Sequence, residues 1–470
     1  MKLINMSLKK FSLYVLVASV LVSGCKKQLS LNDVDDIGDG TAFQTFDHVY
    51  YGTNGAYALT GAYANNMYIS ALVSDEAQIG VNNAGQGALT YRYQYSADPT
   101  TGGDVGAAYF PYYSLIDQVN RVLPHVYTVS ATAAQEAIRD RTKGELLALR
   151  AIGHFNLLQL YSKNYDPAGL GVAVMTESDV SAKPSRNTMG EVIAQVDKDL
   201  AEAKLLLPAV NAASFSDTAM NRLNVAAFQA RVALYKRDWA NAITFASEVI
   251  SSNARPLVTG GDFEDIWTDV NITDEVLFRV RYGTSDAIGS MFTDGASIYI
   301  APSNKLIDSY DPDDIRFETF IGFTGAGDPY VNKFFASPRG NRVVDIKAIR
   351  TAEMYLIRAE AYAESTTPNL VAGAADLNTL RAARIAGYVD QAFGTKEALV
   401  TAVLEERFKE LCFEGFRLWD LKRKGLPVQR TSQDASPGWQ TLPATSFRFI
   451  LPIPQAATLA NPNTIQNDGY

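Results

Sequence analysis

Between Gly144 and Tyr161 the apolar residues Leu146, Leu149, Leu157 and Leu160 fall on one helical stripe, with Gly153 on it where a second helix can approach closely. The spacing predicts a core helix. Farther along, Ala226, Ala230 and Ala233 lead to Tyr235; after Lys236-Arg237-Asp238, Trp239, Ala242, Ala246 and Val249 recur at helical intervals, which predicts two helices back to back. A third unit has Leu356, Ala359 and Ala363, then a Thr-Thr-Pro-Asn turn, then Ala374, Leu377 and Leu380 on a following helix. The pair Arg-x-x-x-Tyr recurs at Arg231/Tyr235 and Arg358/Tyr362, with Arg150/His154 as a degenerate copy. Small residues on facing helices, an aromatic plug and a period close to one helix hairpin are the pattern of tetratricopeptide-like stacking. The copies diverge, so the expectation is a mainly α scaffold of helical pairs and not a regular solenoid.

Two stretches break this pattern. Residues 68–104 and 254–345 are rich in Gly, Thr, Asn, Asp and Tyr and show little helical period, so they are expected to be loops and short strands laid over the helices. Loops held by a rigid scaffold are where recognition usually sits. The expected architecture is therefore a helical-pair scaffold with a loop-rich, short-strand ligand-binding face.

The beginning of the chain is of another kind. Lys2, Lys9 and Lys10 precede an apolar run from Phe11 to Val22, the charged-then-apolar order of a secretory signal. A helix of that length rises only about 18 Å, short of the roughly 30 Å hydrocarbon core, so the run is a leader to be cleaved and not a membrane span. Leu21-Val22-Ser23-Gly24-Cys25 resembles the lipobox at which bacterial lipoproteins are diacylated and cut, which makes Cys25 the first residue of the mature protein. The expected organisation is a signal peptide over 1–24, a flexible tether over 25–40 containing Asp33, Asp35 and Asp36, and a single domain over 41–470. Acids close behind a lipidated cysteine also resemble surface-export signals of Bacteroidota.

Bulk composition narrows the partners. A hydrophobic fraction of 47% with 20% charged residues is that of a folded globular protein. The net charge of −9 becomes −12 once Lys2, Lys9 and Lys10 leave with the leader, which disfavours nucleic acid. With Cys25 committed to lipid, Cys412 has no partner for a disulfide, and His48, His125 and His154 lack the close spacing of a transition-metal site. No metal and no cofactor is expected.

The C-terminal third reads Arg350-Thr-Ala-Glu-Met-Tyr-Leu-Ile-Arg-Ala-Glu-Ala-Tyr362, Ala375-Asp-Leu-Asn-Thr-Leu-Arg381 and Glu405-Glu-Arg-Phe-Lys-Glu-Leu-Cys-Phe-Glu-Gly-Phe-Arg-Leu-Trp-Asp-Leu-Lys-Arg423. It closes with Leu451-Pro-Ile-Pro454, Asn461-Pro462 and Gln466-Asn-Asp-Gly-Tyr470. In that order these segments resemble the SusD/RagB family of outer-membrane nutrient-binding lipoproteins of Bacteroidota. Gly144-Glu145 through Arg150-Ala151, Asp199-Leu200 through Leu206-Leu207-Pro208, and Asp311-Pro-Asp-Asp-Ile-Arg316 extend the resemblance over nearly the whole mature chain. Two departures are Ala457, where the family often has Glu, and Asp468, where Pro usually precedes the final Gly-Tyr. The resemblance implies tetratricopeptide-like helix pairs, a loop-rich ligand face seated over a SusC-like TonB-dependent transporter, and capture without catalysis of glycans or, in some members, peptides. Ligand residues vary too much in the family to be carried over by motif.

Three sets of residues are candidates for chemistry. Glu405, Glu406, Glu410, Glu414 and Asp420 lie among Arg407, Lys409, Arg417 and Arg423, and a retaining glycosidase needs two carboxylates about 5 Å apart, a distance one helix could give Glu406 and Glu410. Leu404, Phe408, Leu411 and Cys412 form an apolar stripe on what reads as the same helix, and cations interleave the acids, so the plainer expectation is a structural ion network of Glu406, Arg407, Glu410, Glu414, Arg417, Asp420 and Arg423. Eleven of the 24 tyrosines lie between Tyr50 and Tyr113, and the alternation of Tyr91, Tyr93 and Tyr95 suggests either a platform for stacking on sugar rings or a strand burying one face. Trp267, Tyr282, Tyr299 and Tyr330 are candidates of the same kind in the second loop-rich stretch. Asp311, Asp313 and Asp314 fit a turn before a helix better than a calcium site, and Cys412 fits a buried small hydrophobe better than a nucleophile. The expected function is capture of oligosaccharide or peptide at the cell surface for delivery to a transporter. A surface glycoside hydrolase and a helical adaptor without a small ligand are the alternatives.

Overall fold

The computed structural model describes residues 42–98, 100, 103–270, 275–281, 283, 288–294 and 296–470. The helices used below are α1 (Phe46–Leu59), α2 (Tyr63–Val73), α3 (Tyr109–Val122), α4 (Arg139–Tyr161), α5 (Met189–Leu206), α6 (Arg222–Lys236), α7 (Trp239–Ser252) and α8 (Gly261–Thr268). Beyond them come α9 (Ile315–Phe320), α10 (Thr351–Glu364), α11 (Leu370–Arg384), α12 (Lys396–Glu410) and α13 (Arg417–Lys424). Each helix of the array packs on the next: α3 on α4, α4 on α5, α6 on α7, α7 on α10, and α10 on both α11 and α12. Their ends are written locally. Thr188 and Glu191 form a reciprocal capping box at the start of α5, Asn221 caps α6, Arg237 ends it at φ +60°, and Asp238 immediately caps α7.

The three repeated arginines have a common task. Arg150 on α4 grips Asp199 on α5 at 2.8 and 2.7 Å, Arg231 on α6 grips Glu353 on α10 at 2.8 and 2.6 Å, and Arg358 on α10 grips Asp376 on α11 at 2.8 and 2.7 Å. The bidentate fork fixes both distance and rotation between neighbouring helices, which is more than a hydrophobic stripe alone can do. Gly153 lies where α3 crosses α4; a Cβ there would stand 2.8 Å from Ile116 Cγ1. His154 fills the place of the tyrosine in this copy, its Nε2 accepting the Met175 amide at 3.0 Å; burial, helped by Arg150, lowers its pKa to about 3, so it stays neutral.

The strands are short and pair locally or across the fold. Those longer than two residues are β1 (Ala77–Ile79), β2 (Val276–Val280), β3 (Ile300–Pro302), β4 (Ile321–Phe323), β5 (Pro329–Val331) and β6 (Ile346–Arg350). β1 pairs antiparallel with β3, β2 with β6, and β4 with β5, with Ile346 opposite Val280 and Lys347 opposite Arg279 in the β2–β6 ribbon.

Three expectations change. The stretch 68–104 is not loop from its start, because Tyr68–Val73 completes α2, and 254–345 contains the helices α8 and α9. The helix of Glu406 and Glu410 does not run on through Leu411 and Cys412: α12 stops at Glu410, Phe413 (φ +61°) and Gly415 (φ +90°) turn the chain, and α13 begins at Arg417. Buried cations make that break affordable. Arg350 Nη2 binds the Glu410 carbonyl at 3.0 Å, and Lys333 Nζ binds the Cys412 carbonyl at 2.9 Å, so peptide groups freed by the turn are not left bare. Cys412 thus sits in the turn and off the α12 stripe, buried against the Tyr310 hydroxyl at 3.5 Å, and burial pushes its thiol up to about 11.

Candidate functional site

The tyrosine row lies inside the protein. Tyr91 ends a single helical turn, Ala88–Tyr91, and the chain then bends with Tyr93 at φ +58°, so the alternation is a turn and not a strand. All three rings are buried. The Arg430 guanidinium stands 3.8 Å from the centre of the Tyr91 ring and 4.6 Å from that of Tyr93, Tyr91 donates to the Asp434 carbonyl at 2.8 Å, and Tyr95 donates to the Arg448 carbonyl and stacks on Tyr470. Arg430 also takes the carbonyls of Leu72 and Ser74 at 2.6 and 2.9 Å, closing the C-terminal end of α2. A ring covered in this way offers no face to a sugar, so the row does not form the stacking platform.

Trp267 is buried too. Lys333 sits 4.1 Å from its ring centre, and Phe320 and Phe334 meet it edge-on. Tyr299 and Tyr330 are half-buried, Tyr330 lying against Phe335 at 4.8 Å, and they keep a partly open face. Tyr282 and Cys25 lie outside the described residues.

The charged residues expected to form one network, Glu406, Arg407, Glu410, Glu414, Arg417, Asp420 and Arg423, are divided among three. Glu410 at the end of α12 receives Arg350 at 2.7 Å, Arg316 at 3.0 Å and Arg384 at 3.1 Å, while Glu406 meets Arg316 and Arg381, each at 2.6 Å. Glu414 pairs with Arg350 and Lys333, both at 2.7 Å. In the second network Arg407 binds Asp420 at 2.8 Å, and Arg423 joins Asp420 to Glu360. In the third, Arg417 and Lys305 share Asp75. Burial alone would raise the Glu406 carboxyl, but Arg316, Lys409 and Arg381 outweigh it and hold it at about 2, and Glu410 is held low by Arg384, Arg350 and Arg316. Neither acid keeps a proton to donate or an open path to solvent, so the pair lacks the means of a glycosidase.

An open groove lies elsewhere, where α1, the first turns of α4, the loop before α6, β2 and the loop before β6 converge. Two adjoining pockets of 460 and 480 Å³ share Thr218, Arg279 and Arg281. On α1 the buried residues Phe46, Val49, Thr53 and Ala56 take the inner face, which leaves Tyr50 and Tyr51 outside; Tyr50 borders the groove, with Asn54 and Tyr57 behind it. Tyr50 is 50% exposed and Tyr51 67%, their ring centres 6.1 Å apart. The floor is polar and already wired. Arg279 on β2 binds Asp217 at 2.8 Å and Asp269 at 2.7 Å; Asp269 also holds Lys347 at 2.7 Å and Arg339 at 2.6 Å; and Arg339 reaches Asp345 at 2.7 Å. Burial would raise the Asp269 carboxyl, yet Lys347, the Asp345 amide and Arg279 together hold it below its ordinary value. At the other end Arg141 binds Glu145 at 2.7 Å, and burial still keeps Glu145 above its ordinary value. Arg281 is exposed and pairs with no described residue.

A larger pocket of 560 Å³ lies beside α12, but its aromatic ring, Phe408, is covered by the Arg417 guanidinium at 4.4 Å. The α1–β2 groove combines open rings with fixed donors and acceptors, the arrangement that lets a saccharide stack and be oriented at once. Reading the sequence does not assemble these residues, although Tyr50 and Tyr51 are marked by lying off the apolar stripe of α1.

Such a molecule is a helical-pair scaffold that presents a preformed polar groove with an aromatic rim. The chain is similar to the SusD family along most of its length: residues 319–470 match the profile described as "SusD family", and residues 44–234 match the related profile described as "Starch-binding associating with outer membrane". Two relatives from Formosa agariphila, SusD-like protein P38 and SusD-like protein P2, are 23% and 24% identical to it, over 97% and 98% of this chain and 98% and 100% of their own. A SusD superfamily protein of Bacteroides thetaiotaomicron has the same fold, with a TM-score of 0.78 at 24% identity over 90% of this chain and 99% of that one. A SusD-like carbohydrate-binding protein of Bacteroides vulgatus aligns with a TM-score of 0.76 at 22% identity, over 90% and 98%. Among the described residues no helix is long and apolar enough to cross a membrane.

Proposed function

We propose that this protein is a lipid-anchored receptor of the outer-membrane surface that captures an oligosaccharide and passes it, chemically unchanged, to a SusC-like TonB-dependent transporter. The anchor is Cys25, behind the leader with Lys2, Lys9 and Lys10. The observation that carries the reading is the α1–β2 groove, in which Tyr50 stands open above donors and acceptors held in place by ion pairs. Preorganised groups bind without first paying to be ordered, and a tyrosine loses little freedom on contact. Similarity to a family whose relatives are described as starch- or carbohydrate-binding supports a saccharide over a peptide.

The test is a glycan and peptide array probed with the purified protein, followed by calorimetry on the hits and recovery of the ligand. Saturable binding to a glycan that comes back intact and weakens in Tyr50→Ala is the expected result. Hydrolysis that follows the protein through purification, or selective binding of peptides, would overturn it. Copurification with the transporter from outer membranes tests delivery.

A further inference from the structure

The ion pairs of the groove are not presented to solvent evenly. In the pair Arg141–Glu145 the arginine side chain is 49% exposed and the glutamate 10%; in Arg339–Asp269 the values are 37% and 7%. Asp345, the second acid of Arg339, is as sunken, and Arg281 adds an exposed guanidinium that no described residue neutralises. In these two pairs the carboxylate is the sunken backing and the guanidinium edge faces water, whereas in Arg279–Asp217 the acid is the more open partner, 17% against 5%. A ligand meets positive charge, although the chain as a whole carries −9. A groove that binds a neutral sugar by hydrogen bonds offers carboxylate acceptors to hydroxyl groups as well as donors, and here Glu145, Asp269 and Asp345 are turned inward and Asp217 is only 17% exposed.

We infer that the groove selects an anionic saccharide, one bearing carboxylate or sulfate groups, with Arg281 as its main charge contact, Arg141 and Arg339 flanking it and Tyr50 stacking on a ring. The inference rests on the groove being the ligand site and narrows what it takes. Guanidinium forks match the planar oxygens of a carboxylate or two oxygens of a sulfate, and such charge-assisted bonds are among the strong ones. Arg281 engages without breaking an ion pair to any described residue, at the cost of ordering its own side chain.

The experiment uses the purified full chain in detergent and three probes of equal length: oligogalacturonate, a sulfated galactan oligosaccharide and maltohexaose. Calorimetry at low and high salt is run on the wild type, Arg281→Ala and Tyr50→Ala. The expected result is binding of at least one anionic probe, weakened by added salt and about tenfold by Arg281→Ala, the loss of one charge-assisted hydrogen bond. Tyr50→Ala should weaken the same probe. Whether the uronate or the sulfate probe wins decides the source of the charge. Binding of maltohexaose alone, unaffected by Arg281→Ala but lost in Tyr50→Ala, overturns the anionic preference and leaves saccharide capture standing. Anionic binding that is indifferent to both substitutions, or no binding of any probe, overturns both. Unchanged melting curves of the variants exclude misfolding, which exposed positions make the expected outcome.

Discussion

Around Glu410 and around Asp269 the protein builds the same object, a carboxylate ringed by arginine and lysine, in two different media. The Glu410 cluster is dry: Arg316, Arg350, Arg381, Arg384 and Lys333 face Glu275, Asp314, Glu406, Glu410 and Glu414 with essentially no solvent contact. The Asp269 cluster has the same pairing chemistry, but its outer arginine reaches water. Taking charges out of water costs several kcal/mol per ion, and good geometry only repays it, so a dry cluster specifies an arrangement more than it adds stability. It holds α11, α12, β6 and the turn after Glu410 in one register. A cluster with a wet edge has spare capacity to bind something else. Burial, more than residue type, separates the scaffold from the proposed recognition surface here.

Substitutions can break this contrast. Glu410→Ala leaves Arg316, Arg350 and Arg384 short of a partner in a dry site, and should cost about 3–5 kcal/mol in urea denaturation; a loss under about 1 kcal/mol would show that water enters the cluster and repairs it. Asp269→Ala should cost less, roughly 1–3 kcal/mol, because Arg339 can turn to solvent, and it should also disorder the groove and weaken ligand binding. If it proves the costlier of the two, the contrast between dry and wet clusters is wrong.

Titration sharpens the same comparison. Glu406 and Glu360 are held at about 2, against an ordinary value of 4.5, so their contribution is full above pH 4.5 and is lost as pH falls towards about 2. Glu406→Gln should flatten that acid limb of a melting-temperature profile. Glu76 behaves oppositely. It is buried, and burial, only partly offset by the Phe413 backbone, raises its carboxyl to about 8. Its folded form binds the proton more tightly than the unfolded chain, so stability falls as pH rises from 4.5 through about 8, and Glu76→Gln should remove that slope. The smallest effect is expected of Arg281→Ala, whose stability should match the wild type within about 0.5 kcal/mol while its ligand affinity drops.

What is legible in the sequence follows from how local the information is. Arg150, Arg231 and Arg358 stand out because each sits four residues before an aromatic position on one helix; the acids they grip, 49, 122 and 18 residues away, carry no mark. The helix pairs follow from small-residue stripes and from caps such as Asn221 and Asp238. Tyr91, Tyr93 and Tyr95 mislead because alternation is read as a strand, whereas Arg430, 339 residues beyond Tyr91, decides their environment. The break after Glu410 is obscured for the same reason: the apolar stripe runs on to Cys412, and the cations that stabilise the turn, Lys333 and Arg350, come from distant segments. The groove draws Tyr50, Arg141, Asp217, Arg281 and Arg339 from five separate stretches, and no spacing rule joins them.

Arg430 also has a bearing on how the polypeptide matures. Its guanidinium seals carbonyls at the end of α2 that were synthesised 358 and 356 residues earlier. The first helices therefore cannot finish their packing until nearly the whole polypeptide has left the ribosome, and contacts of such sequence separation close slowly. Under the proposed export across a membrane, that delay is an advantage: it keeps the thread loose until the far side is reached.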